Sequence, residues 1–295
     1  MLTPFPQRKP APVRPLRLTA RDEHVLSSLG SCRFLSVPQI SALHFDSPAA
    51  AATRMRRLHE AGLVASVFVP VRPYDRRAFT IFGLSGRGAR LIAEQTGGPL
   101  PRFVSEREKR SGLFLDHTLR RNDLRICLDL LDRQERGFQL LVWRQSPDGL
   151  RFSAVVRGRA LSYTRVPLVP DGFFAVKRSG VVQAFFVETD MGTVSLARMA
   201  VRYRAYQLWW RRGGHLDLCG SAPLRILTLT TTERRLAALR QAAFRGSGNP
   251  RHGSGLFWFA LLAAADIAEP AKLLGPAWTT AAAGGDTARS LFATP

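Results

Sequence analysis

The chain has 295 residues and 45% of them are hydrophobic, enough for two domains with true cores. Its 43 lysines and arginines outnumber 22 acids for a formal charge of +21, so the expected partner is a polyanion, nucleic acid ahead of anionic membrane. Three cysteines without C-x-x-C spacing argue against a disulfide framework or a zinc site and fit a reducing cytoplasm, and the longest apolar run, Gly255 to Ala268, is too short to span a bilayer.

The first residues, MLTPFPQRKPAPVRP, are rich in proline and arginine with no apolar run behind them. That pattern is not a secretory signal, and residues 1–16 read as a disordered basic arm. From 17 to 97 the order of elements predicts a winged helix-turn-helix domain. Thr19 is placed to cap a helix ending near Leu29, with Asp22 at its third position. A short helix follows near Pro38. Ser47 and Pro48 then open a helix that Gly62 ends. Two β-rich runs, LVASVFVPV and RAFTIFGL, flank the polar tip RPYDRR, and SGRGARLIAE reads as a closing helix. In that arrangement the Ser47–Ala61 helix enters the major groove of duplex DNA. Arg54, Arg56 and Arg57 would meet phosphates or guanine edges, and Arg72, Arg76 and Arg77 would form the wing. The alternative is that these arginines only solvate a helix face and a turn. Residues 1–110 carry 18 basic against 8 acidic side chains, which favours the DNA contact.

Residues 98–111, GPLPRFVSEREKRS, read as a linker. Beyond it, leucines at 115, 119, 124, 128 and 131 keep helical spacing. Strand-like runs follow at FQLLVWR and LRFSAVV, then a pair of strands joined at Ser179-Gly180. LARMAVRYRAYQLWW is helical, PLRILTLTT a strand, ERRLAALRQAAFR helical and GLFWFALLAA a strand. The fold class is therefore α+β, with a mixed α/β domain over 112–278 and a disordered tail over 279–295. The aromatic group Tyr203, Tyr206, Trp209 and Trp210 recurs at helical spacing and reads as core.

The pair of strands holds an anomaly: Asp171, Glu188 and Asp190 lie in or beside them, where carboxylates are usually depleted. A two-residue Ser179-Gly180 turn pairs Arg178 with Val181 and sets Asp171 opposite Glu188, with Cβ atoms roughly 5 Å apart. Asp190 shares that face by the strand period of two. Opposed like charges are destabilising, so either a divalent cation, Mg²⁺ or Mn²⁺, offsets them, or arginines pair with the acids one by one.

The spacing P-D-x16-E-x-D resembles the core of PD-(D/E)xK nucleases. The order of winged helix, DHTLRRNDLRICL, VPDGFF…FFVETDMGT and a basic helix with YRAY resembles the replication-relaxation family of plasmid and mobile-element proteins, itself similar to C-class mobilisation relaxases. That resemblance implies a restriction-endonuclease-like domain that nicks DNA. It implies Asp171 and Glu188 as metal ligands and His117 and Asn122 as site residues from the preceding helix. It also implies other plasmid replication or mobilisation proteins as partners. The sequence departs from the nuclease pattern in having Asp190 where a lysine stands. Lys177 is six residues from Asp171 along a strand, roughly 20 Å, too far to substitute. Arg198 or Arg202 could supply the charge, although arginine is a poor proton acceptor. Asp190 is then an extra metal ligand, or the site is inactive. The rival readings are a non-catalytic replication-control or mobilisation accessory factor and, more weakly, an RNA-binding regulator. No Walker loop, dinucleotide fingerprint, Gly-x-Ser-x-Gly elbow or HExxH is present. No membrane insertion is expected, and the oligomeric state is left open.

Overall fold

A computed structural model of the protein describes residues 16–67, 80–105, 112–145, 150–157, 162–220 and 222–292. The chain divides into two units, residues 1–111 and 112–295. It is a mixed α+β protein, with eight α-helices and twelve strands among the described residues. None of those helices is long and apolar enough to cross a membrane.

The first unit is punctuated by its caps. Helix α1 (Ala20–Cys32) starts on a capping box in which Thr19 and Asp22 bond each other's backbone N–H. Strand β1 (Leu35–Ser36) leads into α2 (Val37–His44), where Ser36 and Gln39 form a second capping box. Helix α3 (Pro48–Glu60) is capped by Ser47 and begins at Pro48, whose missing N–H costs nothing there. Strands β2 (Val64–Val67) and β3 (Ile81–Leu84) are antiparallel, and the sheet order is β1-β3-β2. Helix α4 (Gly86–Thr96) closes the unit, ending at Gly97 in the left-handed conformation. Its Gly88 is obligatory, because a Cβ there would collide with the Leu63 carbonyl. Val25, Leu26, Leu29, Phe34, Ile40, Met55 and Leu58 form the core, all fully buried. The start of the expected linker is not free-standing: Val104 N–H donates to the Leu84 carbonyl at 2.9 Å.

The second unit opens with α5 (Gly112–Gln134) and β4 (Phe138–Gln145). Strands β5 (Phe152–Arg157) and β6 (Tyr163–Leu168) then form a two-stranded sheet of their own. The chain continues through β7 (Gly172–Arg178), β8 (Val181–Asp190), α6 (Leu196–Arg211), the short α7 (Leu216–Cys219), β9 (Leu224–Thr230), α8 (Glu233–Gly246) and β10 (Gly253–Leu261). Strands β11 (Pro276–Ala282) and β12 (Arg289–Ser290) complete it. Seven strands make one sheet in the order β12-β11-β10-β9-β8-β7-β4. The three central strands, β8, β9 and β10, are parallel, and the outer pairings are antiparallel. Parallel neighbours need crossover connections, which α6 and α8 supply.

Each face of the sheet carries its own core. Phe186, Met199, Tyr203, Tyr206, Leu236, Leu239, Phe257 and Phe259 pack together where α6 and α8 cover one face. Leu124, Cys127, Leu128 and Leu131 of α5 join Phe174, Phe185, Val187 and Trp258 on the other. Burial on both faces explains why all seven residues of β9 are buried. YTRVPL adds a strand, β6, to those expected, and one expectation needs correction. The supposed tail from 279 instead carries the rest of β11 and all of β12, and Trp278, Thr280 and Leu291 are completely buried. The small residues Thr279–Ala282 read as disorder, yet they pair with the long apolar strand β10.

Candidate functional site

The β7–β8 hairpin turns at Ser179 and Gly180, with φ of 50° and 83°. Two consecutive positive φ angles are the requirement of the two-residue turn that matches strand twist, and Gly180 satisfies the second without strain. The turn fixes the register from Arg178↔Val181 to Gly172↔Val187. Asp171 stands just outside the ladder. Its N–H still donates to the Val187 carbonyl at 2.8 Å, while its carboxylate Oδ2 accepts Thr189 N–H at 2.7 Å. The side chain thus closes the end of the strand pairing. The same Oδ2 contacts His117 Nε2, from the first turns of α5, at 3.1 Å. Asp171 and His117 are 22% and 29% exposed.

Glu188, further along β8, is buried and fully bonded. Tyr206 OH donates to Oε1 at 2.5 Å and Arg202 Nη1 to Oε2 at 2.8 Å. Arg202 and Tyr206 are four residues apart on α6, hence on one helix face. Burial pushes the Glu188 carboxyl up to about 7, with the charge of Asp171 adding to the rise and Arg202 opposing it. The hydrogen bond to Asp171 raises the His117 imidazole against burial and the repulsion of Arg121, and Glu188 adds to the rise. The negative charge of Glu188 likewise raises Arg202. Burial holds the Tyr206 and Tyr203 phenols far above their usual range, which leaves them poor nucleophiles. Tyr203 OH meets Thr228 Oγ1 at 3.2 Å, consistent with the expected core role.

Asp190 belongs to a separate constellation. Arg235, in the first turn of α8, grips it with Nε and Nη2 at 2.9 Å each, and Thr230 Oγ1 donates at 2.8 Å. Arg235 also donates to the Val194 carbonyl, tying α8 to the segment before α6. Among the described residues no group of three or more His, Cys, Asp or Glu side chains is placed to hold a metal ion. Asn122 is buried in α5, turned about 140° around the helix from His117 by their spacing of five residues. The arginine partners of the acids were only partly readable beforehand. Arg202 was named as a source of charge, whereas Arg235 was missed, its only signal being a cation in the first turn after a buried strand.

In the first unit, Arg54 is committed inward. Its Nε donates to Asp22 Oδ1 at 2.6 Å and its Nη2 to Asp22 Oδ2 and to the Arg17 carbonyl. Burial would raise the Asp22 carboxyl, but hydrogen bonds from Arg54 and Thr19 outweigh it and hold the group below its ordinary value. Arg56 and Arg57 are exposed on α3, and Arg57 borders a shallow hollow lined also by Ala49, Ala50, Thr53 and Arg54. Arg72, Arg76 and Arg77 lie outside the described residues.

No curated protein and no solved structure matches the chain. Residues 26–223, well over half of its length, match the family model described as Replication-relaxation. That stretch takes in α3, the His117–Asp171 contact and the Glu188 cluster, and the chain belongs to the replication-relaxation family.

Proposed function

We propose that the protein binds duplex DNA through its first unit and nicks it with a divalent cation at Asp171 and Glu188. Family membership points to a role in plasmid replication or mobilisation. The observation that carries the proposal is the His117–Asp171 contact at the end of the β7–β8 pair, beside a buried Glu188 whose carboxyl is raised in part by the Asp171 charge. The order α5, β4, β7, β8, α6, β9, with β8 parallel to β9, supports a restriction-endonuclease-like reading of this unit. In the first unit three helices and the β2–β3 pair support a winged helix-turn-helix, with Arg56 and Arg57 on the exposed face of α3.

Of the three acids, Asp171 is the one with an oxygen to offer Mg²⁺ or Mn²⁺. Asp171 uses only Oδ2 in its contacts with His117 and Thr189, and Oδ1 meets no protein donor among the described residues. Glu188 lies close enough to feel that charge, and a hard cation takes one or two carboxylates while keeping water and phosphate oxygens. Glu188 would join Asp171 by exchanging the Tyr206 bond at Oε1, whereas Asp190 is held by a two-pronged Arg235 and by Thr230 in a separate constellation. The bound ion would act as a Lewis acid on the phosphodiester. Around it, Arg202 is 36% exposed and can present a positive charge to a phosphate while holding Glu188. Asp171 holds the His117 ring in place to take up or deliver a proton.

The ion pairs favour one further reading, a non-catalytic DNA-binding accessory factor, since Arg202 and Arg235 already neutralise two of the acids. A supercoiled plasmid carrying the native locus separates the two. Open circles formed with Mg²⁺ or Mn²⁺, absent with EDTA and reduced to background in Asp171→Asn and Glu188→Gln, are the expected result. A plasmid that stays supercoiled while an EDTA-insensitive, salt-sensitive gel shift weakens in Arg56→Ala/Arg57→Ala would establish the accessory factor instead.

A further inference from the structure

The β5–β6 hairpin leaves the main sheet between β4 and β7 and packs on α6. Phe152, Ala154, Val156, Val166 and Leu168 face the core, with Phe152 stacked on Trp209 at a ring separation of 4.2 Å. The outward positions pair as Ser153↔Pro167, Val155↔Arg165 and Arg157↔Tyr163. Packing accounts for the first face and not for the second. Tyr163 is 68% exposed, the most exposed large hydrophobic side chain among the described residues. Arg157 lies directly across from it, and Arg165 follows two residues along on the same face. Arg157 and Arg165 are exposed, and Arg165 makes a long contact to Ser153 Oγ, at 3.4 Å. The segment Leu150–Leu168 holds four arginines and no acid.

An aromatic ring held out between cations suits a ligand that is both anionic and flat-faced. Duplex phosphates would satisfy the arginines, but paired bases are stacked on each other and offer Tyr163 no open face. An unpaired strand offers both, with stacking contributed by any base and charge by the backbone. Strand β6 also runs through Val169 and Pro170 directly into Asp171, so the root of the hairpin adjoins the His117–Asp171 contact. Tyr163 lies eight residues from Asp171, at most roughly 26 Å along an extended chain. We propose that the outward face of this hairpin, Arg157, Tyr163 and Arg165, grips single-stranded DNA, with a base stacked on Tyr163 and phosphates on the arginines. The inference rests on the DNA-processing reading and adds to it a strand-holding surface.

Fluorescence anisotropy on the full chain tests it, using labelled oligothymidylate and a mixed-sequence duplex of equal length. Tyr163→Ser is expected to weaken oligothymidylate binding by about five- to a hundredfold, with Tyr163→Phe restoring it and duplex affinity unchanged. Arg157→Ala/Arg165→Ala should lower the salt slope for the single strand by about 1.4. The exposure of Tyr163 means an unchanged thermal transition should accompany the loss, separating it from misfolding. Unchanged oligothymidylate affinity in Tyr163→Ser, with duplex binding intact, overturns this inference alone. An equal loss for duplex and single strand overturns it in favour of a duplex contact. Wild-type protein that binds neither DNA at low salt overturns the DNA-processing reading together with it.

Discussion

Asp22 and Glu188 are both buried, both bonded to an arginine and both bonded to a hydroxyl, yet their carboxyls move in opposite directions. In the first unit Asp22 receives Arg54, the Thr19 hydroxyl and the Thr19 backbone N–H, and it ends below its ordinary value. In the second unit Arg202 and Tyr206 do not compensate Glu188: burial raises its carboxyl and Asp171 adds a second negative charge. The difference separates an acid that holds a fold together from one kept under electrostatic tension. A buried carboxylate with its arginine is a structural element until another anion is brought beside it.

Three substitutions test that distinction. The largest effect is expected for Asp22→Asn, which leaves Arg54 facing a neutral group and breaks a helix cap. A loss of about 3–5 kcal/mol in urea unfolding of the first unit is expected. The pH dependence has a definite sign. The folded value of Asp22 lies below its unfolded 3.8, so its contribution is complete above about pH 4 and disappears as pH falls through the folded value. Stability of Asp22→Asn should accordingly lack that acid limb. Next comes Asp190→Asn, which deprives Arg235 of a two-pronged partner where the arginine side chain is only 17% exposed. A loss of about 3 kcal/mol is expected in the second unit, and any Mg²⁺-dependent rise in melting temperature should survive it. Loss of that rise would instead make Asp190 a ligand. The smallest effect belongs to Glu188→Gln. Removing a charge that burial and Asp171 already disfavour should change stability by no more than about 1 kcal/mol. A cost as large as that of Asp22→Asn would erase the contrast between the two acids.

Much of this was legible because it is local. Thr19, Ser47 and Pro48 announce helix starts through features closed within three residues. The Ser179-Gly180 turn dictates the whole β7–β8 register, since two-residue turns leave no slack. What escaped is long in range. His117 reaches Asp171 across 54 positions and Arg235 reaches Asp190 across 45. In a chain this rich in arginine, nothing in the spacing says which one faces which acid. Arg54 illustrates the cost: its place on α3 suggested DNA, while an acid 32 residues earlier claims it. Strand β6 was missed because Pro167 and two exposed faces blur its alternation, and β11 because small residues disguise it.

Strand β11 also shields the protein from itself. It covers the free side of β10, whose run GLFWFAL combines β-propensity with an absence of charge. Beyond it, β12 is only two residues long and pairs through Pro276, which offers no N–H to a passing strand. The segment 276–292, with β11 and β12, therefore works as a selvage. It finishes the fabric at a short, proline-blunted hem, where a bare β10 would be a seam on which a second molecule could be stitched.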